Sequence, residues 1–324
     1  MYFLAESICN LNLNNFKMKK GLRVNKSFKI YTYFIILIYI ISSLTVGSFI
    51  KAENIIDNNV NLVIDILDYK ESLPKNFRKT TDLSAIKDNK ALNLNGMDKL
   101  NISGSQQFSE FNLDSMITAI GSTMPKTIVD LRQESHGFIN GIPISWTDSK
   151  NNANYGLTRE QILQDEANKL KSIKLYAPIS FYNKPNETIT PTKVQDEYSL
   201  VSSRGLSYNR ITVRDGGIPS DEMVDYFIQF VKGQPQNLWL HFHCKEGVGR
   251  TTTFMIMYDI MKNYKLASAD DIIKRQLALE NLKESSIESF YNNKERINFL
   301  KKFYEYCKEN GDSFYKKWSD WKKF

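Results

Sequence analysis

From residue 53 onward the polar and apolar positions alternate between helical and strand-like spacing. Residues 113–120 carry apolar side chains at helical intervals, and Thr127-Ile-Val-Asp-Leu131 is a short β-branched run of strand type. Thr158-Arg-Glu-Gln161 is a capping box, which predicts a helix to about Leu170. Strand-like alternation follows over 173–181 and 198–213, parted by a polar turn at Asn183-Lys-Pro-Asn186, and predicts a β-rich subdomain at about 172–213. Ser220, with Asp221 and Glu222 behind it, opens a helix whose Met223, Val224, Phe227, Ile228, Phe230 and Val231 share one face before Gly233. Leu238-Trp-Leu-His-Phe-His243 then reads as a buried strand and 252–263 as a strongly apolar helix. Such alternation predicts an α/β fold, a central sheet flanked by helices.

The first 52 residues follow another pattern. Seven Lys/Arg against one acid lead into Phe34-Ile-Ile-Leu-Ile-Tyr-Ile-Ile41 and then a stretch of small residues ending at Ala52. This is the layout of a secretory signal, with residues 1–52 removed and 53–324 forming the exported domain. The alternative is an uncleaved membrane anchor, since 31–50 has the length of a spanning helix. The segment also accounts for the charge: of the formal +7, all but +1 resides there, because the remainder holds 36 basic and 35 acidic residues. A body that nearly neutral lacks the broad basic field of a nucleic-acid binder. Contact with a membrane is expected only through the N-terminal segment. Three cysteines, Cys9, Cys244 and Cys307, do not make a disulfide framework.

Cys244-Lys245-Glu246-Gly247-Val248-Gly249-Arg250-Thr251 lies between the last predicted strand and the apolar helix. Strand, glycine-containing loop and helix is the arrangement in which backbone N–H groups and a helix N-terminus surround an anion. Amides, the helix dipole and an adjacent arginine all favour a thiolate at Cys244. Gly247 and Gly249 let successive N–H groups turn inward, Arg250 offers a planar two-donor fork for a phosphoryl group, and Thr251 can donate its hydroxyl to the sulfur. No Lys-Ser/Thr ending is present, so this is not a nucleotide-binding Walker loop.

His243-Cys-Lys-Glu-Gly-Val-Gly-Arg-Thr251 resembles the HCx5R(S/T) signature of the cysteine-dependent phosphatases. Together with Asp130-Leu-Arg-Gln-Glu-Ser-His-Gly137, Gly141-Ile-Pro-Ile-Ser-Trp146, Pro74-Lys-Asn-Phe-Arg78 and Asn101-Ile-Ser-Gly-Ser-Gln-Gln-Phe108, it is similar to the bacterial PTP-like, or cysteine, phytases over about residues 60–305. The resemblance implies a cysteine-phosphatase core with a small β-barrel-like subdomain, no metal or other cofactor, and hydrolysis of inositol polyphosphates through a phosphocysteine. It supplies a general acid, Asp215, in Arg214-Asp-Gly-Gly-Ile-Pro219, where Gly216 replaces the histidine usual in the family. Glu246 stands where a small residue is usual.

The expected site therefore comprises Cys244, Arg250, Asp215, Thr251 and His243 as the reacting and orienting groups. Substrate contacts are expected from the loop 245–249 (Lys245, Glu246, Gly247, Val248, Gly249) and from Lys75, Arg78, Arg214 and His136; the alternative for His136, with Arg132, is to brace the loop from behind. His241 and His243 share one face of a strand, and an imidazole that orients the Cys backbone fits them better than a metal pair. A small-molecule inositol phosphate is the first substrate class. A phosphotyrosine protein or a phosphoinositide, with the same chemistry, is the alternative; a phosphate-binding pseudoenzyme would not need both Cys244 and Arg250.

Overall fold

The computed structural model describes residues 60–66, 69–70, 73–279 and 283–323. The signal or anchor expected in 1–52 lies outside them. In chain order the elements are β1 (Asn61–Ile64), β2 (Arg78–Lys79), β3 (Ile102–Gln106), α1 (Glu110–Ile120), β4 (Lys126–Arg132), β5 (His136–Ile139), β6 (Ile142–Thr147) and α2 (Arg159–Ser172). They continue with β7 (Ile179–Phe181), β8 (Lys184–Ile189), β9 (Val194–Gln195), α3 (Glu197–Ser202), β10 (Ser207–Val213), α4 (Asp221–Lys232) and β11 (Trp239–Cys244). The last described elements are helical: α5 (Gly249–Asn263), α6 (Ala269–Leu279), α7 (Glu284–Asn292), α8 (Lys294–Asn310) and α9 (Trp318–Trp321).

Five strands form the central sheet in the order β10-β4-β11-β3-β2. The first four run parallel and β2 is an antiparallel edge. β11 sits in the middle with every residue buried, pairing His243 with Asp130 of β4 and Cys244 with Gln106 of β3. A strand covered on both faces reads as a nearly unbroken apolar run, which is why 238–243 was legible. On one face α5 packs against β11 and β3, with α6 and α8 behind it. Phe227 of α4 joins this core through ring contacts to Phe242 of β11 and Phe254 of α5.

The expected helices are present, and the capping box at Thr158 is formed as read: Thr158 Oγ1 accepts from the Gln161 N–H and Gln161 Oε1 from the Thr158 N–H. The β-rich segment is corrected. Residues 197–202 are helical because Asp196 caps the turn by accepting from the Ser199 N–H at 2.7 Å, and because Leu200 and Val201 are both fully buried, which neighbours on a half-exposed strand cannot be. The strands of 172–213 go to three places: the β7-β8 hairpin, the edge of a second sheet (β9) and the central sheet (β10). That second sheet, β1-β6-β5-β9, is antiparallel and draws on residues as distant as 61 and 195.

A buried cluster of charges joins the two sheets. His136 of β5 lies 3.2 Å from Asp130 of β4 and 3.4 Å from both Glu166 of α2 and Glu197 of α3, while Arg210 of β10 pairs with Glu166 at 2.6 Å and Asp130 at 3.2 Å. The expectation that His136 contacts substrate is therefore replaced: it is an internal imidazolium tying strands together. Burial and the charge of Arg132 oppose its protonation, but Asp130 and Glu166 overcome them and push its pKa up to about 10. Burial likewise opposes the charge of Glu197, yet His243 and His136 hold its pKa down at about 2.

The sign of the linkage follows. A raised histidine stabilises fully below its unfolded value of 6.5 and loses that contribution as pH climbs toward 10; a depressed Glu197 does so above 4.5 and loses it as pH falls toward 2. Urea unfolding across pH 6–10 should show stability declining with pH, and His136→Gln should start lower and flatten that slope. An unchanged slope in the variant would refute the assignment.

Candidate active site

Cys244 ends β11 and is 3% exposed. The loop that follows is shaped by its contact with the end of β3. Gly247 has φ +76°, and a Cβ there would stand 2.2 Å from the Gln106 amide nitrogen and 2.4 Å from the Ser105 carbonyl carbon, so only glycine fits. Val248 then leads into α5, whose first turn is Gly249, Arg250, Thr251 and Thr252. Thr251 Oγ1 donates to Cys244 Sγ at 3.2 Å. Burial raises the thiol pKa of Cys307, on α8, and that residue is also a free cysteine.

Arg250 is 2% exposed, and its placement explains residues that sequence reasoning left out. Glu134, between β4 and β5, accepts from both terminal nitrogens at 2.7 and 3.0 Å; the Val213 carbonyl at the end of β10 accepts from Nη1 at 3.0 Å. Arg250 Nε is buried with no partner among the described residues. Burial works against charge on both members of the pair, but each outweighs it for the other: Arg250 is held above the usual guanidinium range and Glu134 below the usual carboxylate range. Behind Glu134, Arg132 donates to it at 2.8 Å and to Asp65 and Gln107 at 2.8 Å each, and Lys245 reaches Asp65 at 3.3 Å. Glu134 lies within the 130–137 motif, as an acid at the end of a buried β-branched run, and that charge was the available signal.

Asp215 follows β10 on a turn closed by the Gly217 N–H on the Arg214 carbonyl. Gly216 at the third position has φ +70°, which a histidine there would find strained; the turn accounts for the glycine. The Asp215 side chain is 39% exposed, with Oδ1 3.1 Å from Arg250 Nη2 and Oδ2 accepting from Asn151 Nδ2 at 2.8 Å. Asn151 sits in a tight loop at φ +56°, after β6; nothing in Asn151-Asn-Ala-Asn154 marked it. The remaining expectations divide. Lys75, Glu246 and Arg214 are exposed, with Arg214 lying over the Tyr155 ring at 5.6 Å. Arg78 is corrected from a rim cation to a buried brace: it donates to the carbonyls of Asn76 and Gly247 at 2.9 and 2.8 Å and to Thr252 Oγ1 at 3.2 Å. His243 pairs with Glu197 at 2.6 Å, away from the exposed loop surface.

The histidines do not form a metal pair. His241 is hydrogen-bonded through both ring nitrogens, to Ser103 and Ser105, and burial keeps it neutral. Asp130, His136 and Glu197 do bring three ligand atoms together, but Tyr208 already donates to Asp130 and Gln107 and His243 to Glu197, so the oxygens serve as hydrogen-bond acceptors.

Residues 129–262 match the PTP-like phytase family, described by the words inositol hexakisphosphate. The PTP-like myo-inositol phosphatase of Mitsuokella multacida, solved in complex with myo-inositol-(1,3,4,5)-tetrakisphosphate, is 34% identical with a TM-score of 0.72 over 82% of this chain and 48% of its own. A PTP-like phytase from Bdellovibrio bacteriovorus is 33% identical with a TM-score of 0.67, over 81% of this chain and 94% of its own. Effector protein hopD2 of Pseudomonas syringae pv. tomato is 30% identical over 263 residues, which are 76% of this chain and 56% of the effector. The chain thus spans about half the length of the first and last of these three. The Cys244–Thr251 loop, the buried Arg250 and the agreement with the Bdellovibrio protein over nearly its whole length lead to one conclusion: the chain belongs to the PTP-like phytase family.

Proposed function

We propose that this protein hydrolyses phosphomonoesters of inositol polyphosphates through a phosphocysteine, without a metal. The observation that carries the reading is the Arg250 guanidinium, fixed by Glu134 and Val213 with its buried Nε left unpaired, beside a Cys244 sulfur that already accepts from Thr251. In the first step Cys244 Sγ attacks phosphorus, the bond from phosphorus to the leaving oxygen breaks, and Asp215 delivers a proton to that oxygen. Arg250 and the loop amides hold the non-bridging oxygens while charge builds on them. In the second step Asp215 takes a proton from water, the water oxygen attacks phosphorus, and sulfur departs as a thiolate supported by the Thr251 hydroxyl.

The inositol assignment rests on the family and on the ligand held by the Mitsuokella relative. A singly phosphorylated aryl ester is the second reading, favoured by one observation: with Arg78 inside, the rim keeps fewer cations than the sequence promised. Residues 1–52 support export of the protein through the apolar segment. Among the described residues no helix is long and apolar enough to cross a membrane.

Phosphate release from inositol hexakisphosphate, phosphoinositides and phosphotyrosine peptides, assayed without added metal, separates the readings. Inositol hexakisphosphate should lead, and Cys244→Ser should bind it yet turn over less than a few per cent; a phosphotyrosine preference would favour the second reading. Asp215→Asn should cost about 10²–10⁴ in kcat/KM, which reports the first step alone, on an alkyl phosphate and far less on an aryl phosphate whose leaving group departs unaided. Equal losses on both would move the acid elsewhere. Arg78→Ala should lower turnover of inositol hexakisphosphate and of a small monophosphate alike, because it loosens the loop itself, whereas Lys75→Ala should raise KM for the polyphosphate alone. A polyphosphate-specific defect in Arg78→Ala would return that residue to the rim.

A further inference from the structure

Arg296 belongs to the first turn of α8, far in sequence from every group used above. Its backbone N–H is fixed by the Asn293 side chain at 3.0 Å, which sets where the side chain starts. From there the guanidinium crosses the Phe290 ring at 5.1 Å and ends between the two loops of the site. On one side Nη2 donates to the Gly216 carbonyl at 3.2 Å; on the other it lies against Gly249, where an added Cβ would come within 3.4 Å of it. Arg296 is 6% exposed, its Nε has no hydrogen-bond partner, and no carboxylate among the described residues forms an ion pair with it. Burial lowers its pKa, with Cys244, Glu295 and Asp215 acting in the opposite direction.

A buried guanidinium without a carboxylate is a costly arrangement unless it holds something. What it holds here is main chain. Arg250 and Asn151 grip the acid loop by the Asp215 carboxylate, and that grip weakens when Asp215 is protonated, the state in which it must donate. The bond to the Gly216 carbonyl does not depend on that proton. Gly216 needs such a hold: it is exposed, at positive φ, with nothing within 4 Å of where its Cβ would be.

We infer that Arg296 is a positioning residue for proton transfer, a clasp from the C-terminal helix that keeps the acid loop in place while Asp215 is neutral. The inference rests on the phosphatase reading proposed above and deepens it. Its effect is exerted through Asp215, which distinguishes it from a residue that binds the transferring phosphate.

The test is a double-mutant cycle of Arg296→Ala and Asp215→Asn, read on β-glycerophosphate as an alkyl substrate and p-nitrophenyl phosphate as an aryl one. Loss of one charge-assisted hydrogen bond should lower kcat/KM of Arg296→Ala, which reports the first step alone, roughly ten- to hundredfold on the alkyl phosphate and much less on the aryl one. In the Asp215→Asn background the same substitution should add little. Arg296→Lys, which can still reach the carbonyl, should recover part of the loss. Should Arg296→Ala not fold, Arg296→Met keeps the aliphatic stem over Phe290 and carries the same cycle. Equal losses on both substrates, or full additivity with Asp215→Asn, would overturn the inference while leaving the phosphatase reading intact. Wild-type protein inactive on both substrates would overturn the reading and the inference together.

Discussion

Keeping a guanidinium dry is costly without a counter-charge, and much of the site's scaffolding follows from how Arg250 meets that demand. Glu134 neutralises it with two hydrogen bonds, and a buried Glu134 in turn needs Arg132, which needs Asp65, which takes Lys245 from the nucleophile loop. The chain of alternating charges begins and ends on the Cys244–Thr251 loop. Removing one member of such a buried set leaves the next uncompensated, at about 3–5 kcal/mol in comparable cases. The second sheet thereby takes part in fixing Arg250, since β1 ends at Ile64 and delivers Asp65. On the proposed reading, fixing Arg250 in advance also spares the transition state the cost of orienting its main cation.

The parallel strands supply the other half of the preorganisation. β3, β4, β10 and β11 all run the same way, so Gln106, Arg132, Val213 and Cys244 arrive at one end of the sheet. Ligands in open α/β sheets bind outside those carboxyl ends. Here the crowding is tight enough that Gly247 has no room for a side chain against the end of β3. The Asp215 loop leaves β10 at the same end, and its turn at Gly216 places Asp215 against Arg250.

What could be read from the chain was local. The Cys244–Thr251 loop, the capping box at Thr158 and the apolar periodicity of α4 each encode their structure within a few residues, where propensity and spacing suffice. The 198–213 stretch misled because alternation over a few residues cannot distinguish a strand from a helix with two adjacent buried positions, and the capping Asp196 decided it. Arg78 and His136 were charged residues in family motifs and so read as substrate contacts. Their burial depends on partners 174 and 30 residues away, respectively Thr252 and Glu166, and no local pattern reports such distant pairing. Asn151 was invisible for the same reason: its function is defined by Asp215, 64 positions on.

On the proposed reading these features converge on one event, transfer of a phosphoryl group to Cys244. The direct measurement is acid quench within the first turnovers on p-nitrophenyl phosphate, followed by mass analysis of the peptide that contains residues 243–251. The account predicts one phosphoryl group on that peptide, carried by Cys244 and accumulating further in Asp215→Asn, where attack by water on the intermediate is slowed. A peptide that remains unmodified while phosphate is released, with solvent oxygen entering the product in a single step, would contradict it.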